Sequence, residues 1–300
     1  MATRILNYIS LPVLLIIGAL ATFLTFHFQW NFEVAILGIF LFTAFYVLLL
    51  ERIIPLKSEW RNLPNEYSSD LKYLPTTVAF DALGKAVALS IVLLFQKTYF
   101  SGTNLLGGLS FIPAFILANI IGEFLPYLYH RISHKGKTSS FMSLFLWQTH
   151  SIHHIPESIN WFKTSWMHPV NMFLNTFLKY GSLLLLGFSQ EVIFAVGILH
   201  VIVAYSSHAN ILAKTGFLDY IIVTPKIHHF HHSKKIHEAK NFGNILPFWD
   251  LVFGTYFNRK GTVSRVGLKK ANYTYPERKA FLKQMAFPFY TLKNCCMNKA

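Results

Sequence analysis

Residues 9–26, 34–50 and 101–122 each run without a charged side chain. Each is close to the roughly 20 residues that cross a bilayer as a helix. A fourth apolar run, 74–95, carries only Asp81 and Lys85, which stand four apart and are expected to pair as a buried couple on one helix face. Residues 170–205 are apolar but interrupted by Lys179 and Glu191, with Gly181 and Gly187 between them, which predicts a helical hairpin in the membrane. The expected fold is therefore all-α, an integral membrane bundle of about four spans plus that hairpin.

Composition agrees: 53% of the 300 residues are hydrophobic and 13% charged, against roughly a quarter charged in soluble domains. Arg4 ahead of the first run and Ala19-Leu20-Ala21 within it resemble a secretory signal. The apolar residues after that point and the further spans favour a retained anchor. The link 27–33 has no Lys or Arg, whereas Arg52, Lys57, Arg61 and Lys72 follow the second span and Arg131, Lys135 and Lys137 the fourth. By the positive-inside rule that second side is cytoplasmic, in a bacterial inner membrane or the endoplasmic reticulum. Cys295 and Cys296, adjacent at the end of the chain, imply no disulfide framework.

Residues 1–125 read as a membrane anchor with a polar link at 52–70, residues 126–258 as the region that carries the chemistry, and 259–300 as a basic tail, all in one integrated body. The net charge of +14 comes partly from that tail, where ten of the 27 Lys and Arg lie. Beside a membrane this predicts a headgroup-contacting skirt or a dock for an acidic carrier, not a nucleic-acid surface.

Histidine is distributed unlike anything else in the chain. His130 and His134 form HRISH, His150, His153 and His154 form HSIHH, and His228, His231 and His232 form HHFHH, repeating the HxxHH spacing. Residues three and four apart share a helix face, so each cluster can aim several nitrogens at one point. Imidazole suits iron, zinc, copper and nickel, and eight or more histidines exceed what one ion uses, so two ions with four or five protein ligands each are expected. His208 and, less strongly, His168 are further candidates at the cytoplasmic ends of the hairpin. His200 reads as a core histidine, and His27, His229 and His237 as non-ligands. Glu123, two helical turns before His130, is a candidate to accept a ligand's distal N–H, as are Glu157 and Asp250.

These clusters sit in longer elements. Glu123-Phe-Leu-Pro-Tyr127-Leu-Tyr-His130-Arg131-x-x-His134, Leu146-Trp147-x-x-His150-x-x-His153-His154, Glu157-x-x-Asn160-Trp161, His168-Pro169, His208-Ala-Asn210, Thr224-Pro225-x-x-His228-x-x-His231-His232, Asn241-Phe-Gly243 and Trp249-Asp250-x-x-Phe253-Gly254-Thr255 occur in that order. In this respect the chain resembles the fatty acid hydroxylase and sterol desaturase superfamily, over about half its length. The resemblance implies a cytoplasmic non-haem di-iron cap that uses O2 on a lipid, with His130, His134, His150, His153, His154, His208, His228, His231 and His232 as ligands. Three departures stand out: Ala204 occupies the place of a second histidine four before His208, and Trp166 and Asn171 replace an Arg and an acid frequent in bacterial members.

The expected activity is hydroxylation of a fatty acyl, sterol or ether-lipid C–H bond, with desaturation or sterol methyl oxidation as the alternative of the same chemistry. A zinc-dependent membrane hydrolase lacks the HExxH it would need, and a metal-binding transporter would place ligands within its spans rather than at their ends. Zinc competes well for imidazole and is expected to replace iron in purified protein. Without a haem, flavin or iron–sulfur motif in the sequence, electrons are expected from a separate reductase or small carrier. Trp147, Trp161, Trp166, Phe230 and Phe242 are candidates to line an acyl channel.

Overall fold

The computed structural model describes residues 2–61, 67–99, 106, 108–136, 140–268 and 275–290. Among them the chain is all-helical, with two isolated antiparallel bridges, Pro55 to Ile211 and Ser233 to Val266, and no sheet. Four long helices come first: α1 (Ala2–His27), α2 (Phe32–Ile53), α3 (Tyr67–Tyr99) and α4 (Phe111–Ser133). Then follow α5 (Phe141–Ser151), the hairpin α6 (Pro169–Leu185) and α7 (Gln190–Ser207), and the short α8 (Pro225–His231), α9 (Phe248–Val252) and α10 (Phe281–Tyr290). Five are long and apolar enough to cross a membrane, α1 to α4 and α7, so this is a multi-pass membrane protein. The expected four spans and hairpin are all present, the hairpin supplying the fifth.

Local sequence explains the breaks. The Asn31 side chain accepts Val34 N–H to start α2, His168 and Pro169 start α6, and Ser189 accepts Val192 N–H to start α7. The fourth span differs from expectation. The uncharged run 101–122 ends at Glu123, but α4 begins at Phe111 and continues through Glu123 to Ser133, because the Glu123 carboxylate is neutralised inside the bundle by Lys179 on α6, 2.9 Å away. Asp81 and Lys85 do pair, at 2.6 Å, but the couple is partly exposed rather than buried, with Thr176 of α6 donating to the other carboxylate oxygen.

α7 is the central helix: 56% of its apolar window is buried, against 28% and 22% for α1 and α2. Leu14, Ile39, Val47, Phe194, Ile198 and Ile202 join α1, α2 and α7, and Ala118, Leu183, Val192 and Val196 join α4, α6 and α7. α3 lies along α6, so closely that a Cβ on Gly84 would stand 3.0 Å from the Phe173 carbonyl oxygen and from Thr176. Apolar side chains such as Ile16, Phe23, Phe45 and Leu94 point outward, as a bilayer solvent permits.

Polar contacts gather the ends of α2, α3, α6 and α7. Glu51, at the end of α2, accepts the N–H groups of Trp161 (2.7 Å) and Asn210 (2.8 Å). Asn210 in turn holds both backbone groups of Lys57, and a buried Lys163–Asp70 pair at 2.6 Å ties the Trp161–Ser165 turn to α3. The expected basic tail is not a simple skirt. Its α10 is apolar enough to fold back, placing Phe287 with Tyr73 and Trp166 and Phe289 against Phe145. Lys137, Lys269, Lys270, Cys295 and Cys296 lie outside the described residues.

Candidate metal centre

Three helix ends and one cap converge at that end of the bundle. His130 and His134 come from the last turn of α4, His150, His153 and His154 from α5 and the tight turn after it, His228, His231 and His232 from α8 and its cap, and His208 caps α7. The nine fall into two groups, His130, His134, His150, His154 and His231 in one and His153, His208, His228 and His232 in the other. Within each group, one nitrogen per residue lies within 4.8 Å of all the others.

The HxxHH spacing produces the division. Residues i and i+4 lie on one helical stripe and i+3 is rotated off it. His150 and His154 accordingly enter the first group while His153 enters the second, and His228 and His232 enter the second while His231 crosses to the first. Each HxxHH element thus bridges the two groups by donating its middle histidine to the other side.

Five of the outer nitrogens are committed. His130 Nδ1–H donates to Phe242 O at 2.7 Å, His153 to Trp166 O at 2.9 Å, His231 to Lys240 O at 2.8 Å, His208 to Ala204 O at 3.1 Å, and His150 to Asn171 Oδ1 at 3.2 Å. A neutral imidazole with its proton on Nδ1 has a bare lone pair on Nε2. Yet His130 Nε2 stands 3.0 Å from His150 Nε2 and 3.1 Å from His231 Nε2, and His153 Nε2 stands 3.1 Å from His208 Nε2. Lone pairs facing each other at that distance repel unless a cation lies between them. The spacing fits one: with nitrogen about 2.1 Å from the ion, ligands at right angles stand about 3.0 Å apart, and tetrahedral ones about 3.4 Å. His134 Nε2, buried and without a hydrogen-bond partner, is a further free nitrogen in the first group.

Burial pushes the imidazoles of His134, His150, His154, His208, His228, His231 and His232 well below their ordinary range, aided by the neighbouring histidines, and His153 down to about 4. The ligating, neutral form is the one the site favours.

Four expected residues lie elsewhere. His168 belongs to neither group: its Nδ1 accepts Val170 N–H as the cap of α6 and its Nε2 donates to Met285 O. Glu123 does not meet His130, whose outer nitrogen is taken by the Phe242 carbonyl. Its carboxylate instead binds Lys179 and the N–H groups of Asn244 and Ile245. Glu157 is on the surface, paired with Lys234 and Arg278, which hold its carboxyl below the usual range. Asp250 acts at one remove: it accepts the N–H groups of Phe242 (2.8 Å) and Gly243 (2.7 Å) and the Thr255 hydroxyl, fixing the loop whose carbonyl receives His130. Burial raises its pKa, opposed by those bonds.

Asn241-Phe-Gly243 owes its composition to this loop. Asn241 sits at φ 61° with its amide bonded to Ile227 O and Phe257 O, and a Cβ on Gly243 would come 2.2 Å from Leu246 O. Asn171, not singled out as a partner in the sequence, accepts from both His150 and the Tyr129 hydroxyl. Four carbonyl partners were invisible there because any residue type supplies a carbonyl. Ala204, lacking an imidazole, still serves through its backbone. His200 meets Lys179 Nζ at 2.9 Å, and His229 packs on Trp60. Among the aromatic candidates, Phe242 and Trp147 pack on the ring of His134, at 5.1 and 5.5 Å. Trp166 stacks on Tyr73 and Trp161 on Phe162, and Phe230 meets Phe257 edge to face.

The fatty acid hydroxylase family model matches residues 115–255, the stretch that holds all nine histidines. The chain belongs to the fatty acid hydroxylase family. The chain is 27% identical to ornithine lipid hydroxylase OlsE of Rhizobium tropici over 295 residues, covering 93% of this chain and 82% of that one. It is 30% identical to alkylglycerol monooxygenase of Danio rerio over 132 residues, 43% of this chain and 27% of that protein. With the Homo sapiens alkylglycerol monooxygenase it shares 26% over 136 residues, 45% and 28% respectively. This chain thus matches little more than a quarter of the alkylglycerol enzymes but most of the ornithine lipid enzyme. No solved structure matches significantly. Family membership and the paired histidine groups together indicate a metal cofactor.

Proposed function

We propose that this protein is a membrane-bound, O2-dependent lipid hydroxylase that converts a C–H bond of a lipid into C–OH, and that each of its two histidine groups would hold one iron ion. The observation that carries the reading is the pair of groups of five and four histidines, with bare Nε2 atoms about 3 Å apart, at the end of a bundle of apolar helices. Bound iron would activate O2 with two electrons from an outside donor, so that one oxygen atom enters the C–H bond and the other leaves as water, chemistry that no side chain supplies.

The chain's residues do the rest. The carbonyls of Phe242, Trp166, Lys240 and Ala204 hold four imidazoles in the neutral tautomer that ligates and fix their ring planes. Asn171 does the same for His150. Phe242 and Trp147 cover the first group with apolar surface that excludes water. The group of four would offer an ion one nitrogen fewer than the group of five.

The named relatives are hydroxylases or monooxygenases of lipids, which favours hydroxylation over desaturation here. On this reading residues 1–125 anchor and 126–258 catalyse, the active site faces the cytoplasm, and a separate reductase or carrier delivers electrons. Cells expressing the protein under isotopically labelled O2 test this. One lipid species should gain a single labelled oxygen, and it should vanish with His153→Ala/His231→Ala. Identical lipid profiles for the two would overturn the reading.

A further inference from the structure

A cleft of about 550 Å³ opens between the first turns of α1 and the segment after α7, walled by Tyr8, Ile211, Leu212 and Val263, with Lys214 and Lys226 bringing two ammonium groups to it. Tyr8 lies within the apolar span Thr3–His27, and Leu56, also in the wall, lies just past the end of α2. The cleft therefore sits where two spanning helices leave the bilayer and meet the polar cap.

Its surroundings suit that boundary. Ile5, Tyr8 and Ile9 are exposed on α1, and Phe217, Tyr220 and Ile221 are exposed on and beside the tight turn Gly216–Tyr220. Such residues side by side are costly in water and form an anchoring belt at the headgroup level. The turn is a rigid rim. The buried Asp219 carboxylate accepts from the hydroxyls of Thr215 and Thr224 and from the Asn258 amide, and Lys214 N–H donates to Asn7 O on α1.

The charges do not cancel. Lys226 pairs loosely with Asp219 at 3.6 Å, and that single carboxylate offsets one of the two ammonium charges, leaving the other. The Lys214 ammonium meets the Tyr8 hydroxyl at 3.3 Å and lies 5.0 Å from the centre of its ring, not against a carboxylate among the described residues. A cationic, apolar-walled cleft at the bilayer surface calls for an anion attached to acyl chains.

We propose that this cleft is a binding site for an anionic glycerophospholipid, its phosphodiester held by Lys214 and Lys226 and its chains laid along Ile5 and Ile9 of α1. It stands apart from the hydroxylation reading, because it requires neither metal nor turnover. Native mass spectrometry of the full chain in detergent micelles, titrated with dioleoyl phosphatidylglycerol or dioleoyl phosphatidylcholine, tests it. Phosphatidylglycerol should bind about tenfold more tightly, and Lys214→Glu should weaken it about tenfold or more. Lys72→Glu, an exposed lysine at the same end of the bundle, should leave it unchanged, and Lys214→Gln should fall between and carry the test if Lys214→Glu does not fold. Equal binding of the two lipids, equal effects of the substitutions at Lys214 and Lys72, or displacement of phosphatidylglycerol by equimolar inorganic phosphate would overturn the proposal.

Discussion

Asp250 reaches His130 through a single residue: its carboxylate accepts Phe242 N–H at 2.8 Å, and Phe242 O accepts His130 Nδ1–H at 2.7 Å. An acid that touches no metal-facing nitrogen thereby sets the tautomer and aim of one. Asp250→Asn would turn an NH2 toward the Phe242 or Gly243 N–H. Metal affinity of the five-histidine group should fall about 10- to 100-fold, read by competition with a chelator, while the melting temperature of the metal-free protein shifts little by comparison. Unchanged affinity would mean that the loop holds itself without the carboxylate.

His168 and His153 offer a direct contrast. His168→Ala removes a helix cap and a bond to α10, so it should cost roughly 1–2 kcal/mol of stability and leave metal content intact. His153→Ala should remove metal from the four-histidine group. Loss of metal in the His168 variant, measured by elemental analysis, would place it among the ligands after all.

The metal-free protein should lose stability as the pH falls. His153 titrates at about 4 in the fold and near 6.5 in an unfolded chain. Between those values the unfolded chain takes up a proton that the folded one refuses, so stability is full above pH 6.5 and declines as the pH drops through that window. His153 alone contributes a loss on the order of 3 kcal/mol by pH 4, and the other depressed histidines act in the same direction. Melting curves of chelator-stripped protein at pH 7.5 and 5 check this, and coincident curves would contradict it.

Glu123 and Lys179 are buried partners joining α4 and α6. Lys179→Met alone leaves the carboxylate unpaired and should destabilise by about 3–5 kcal/mol, with much of that recovered in Glu123→Gln/Lys179→Met. Thermal unfolding of the two variants measures the difference. A single variant as stable as the parent would mean that water or another group solvates Glu123.

How much of this was legible in the sequence follows from which interactions side chains carry. The histidine clusters and the need for two ions were readable from spacing and number, but not the division into five and four, because each HxxHH element was expected to aim at one point and instead sends its middle histidine to the other group. The spans were readable from uncharged runs, except where Glu123 ended a run whose helix continues, since the neutralising Lys179 is 56 residues away along the chain. The outer partners of the histidines were not readable. Backbone carbonyls leave no mark on residue identity, so the three acids were assigned work that Phe242, Trp166, Lys240 and Ala204 perform. α10 was masked by the basic residues around it, although its own Phe281 and Met285 stand one helical turn apart and pack with Phe287 into the core.

The most direct test of a two-metal centre is iron per chain in protein purified without oxygen, compared with His130→Ala and His208→Ala, one from each group. About two irons in the parent and about one in each variant are expected. One tightly held zinc in the parent that iron does not replace, lost with His208→Ala and kept with His130→Ala, would contradict the account.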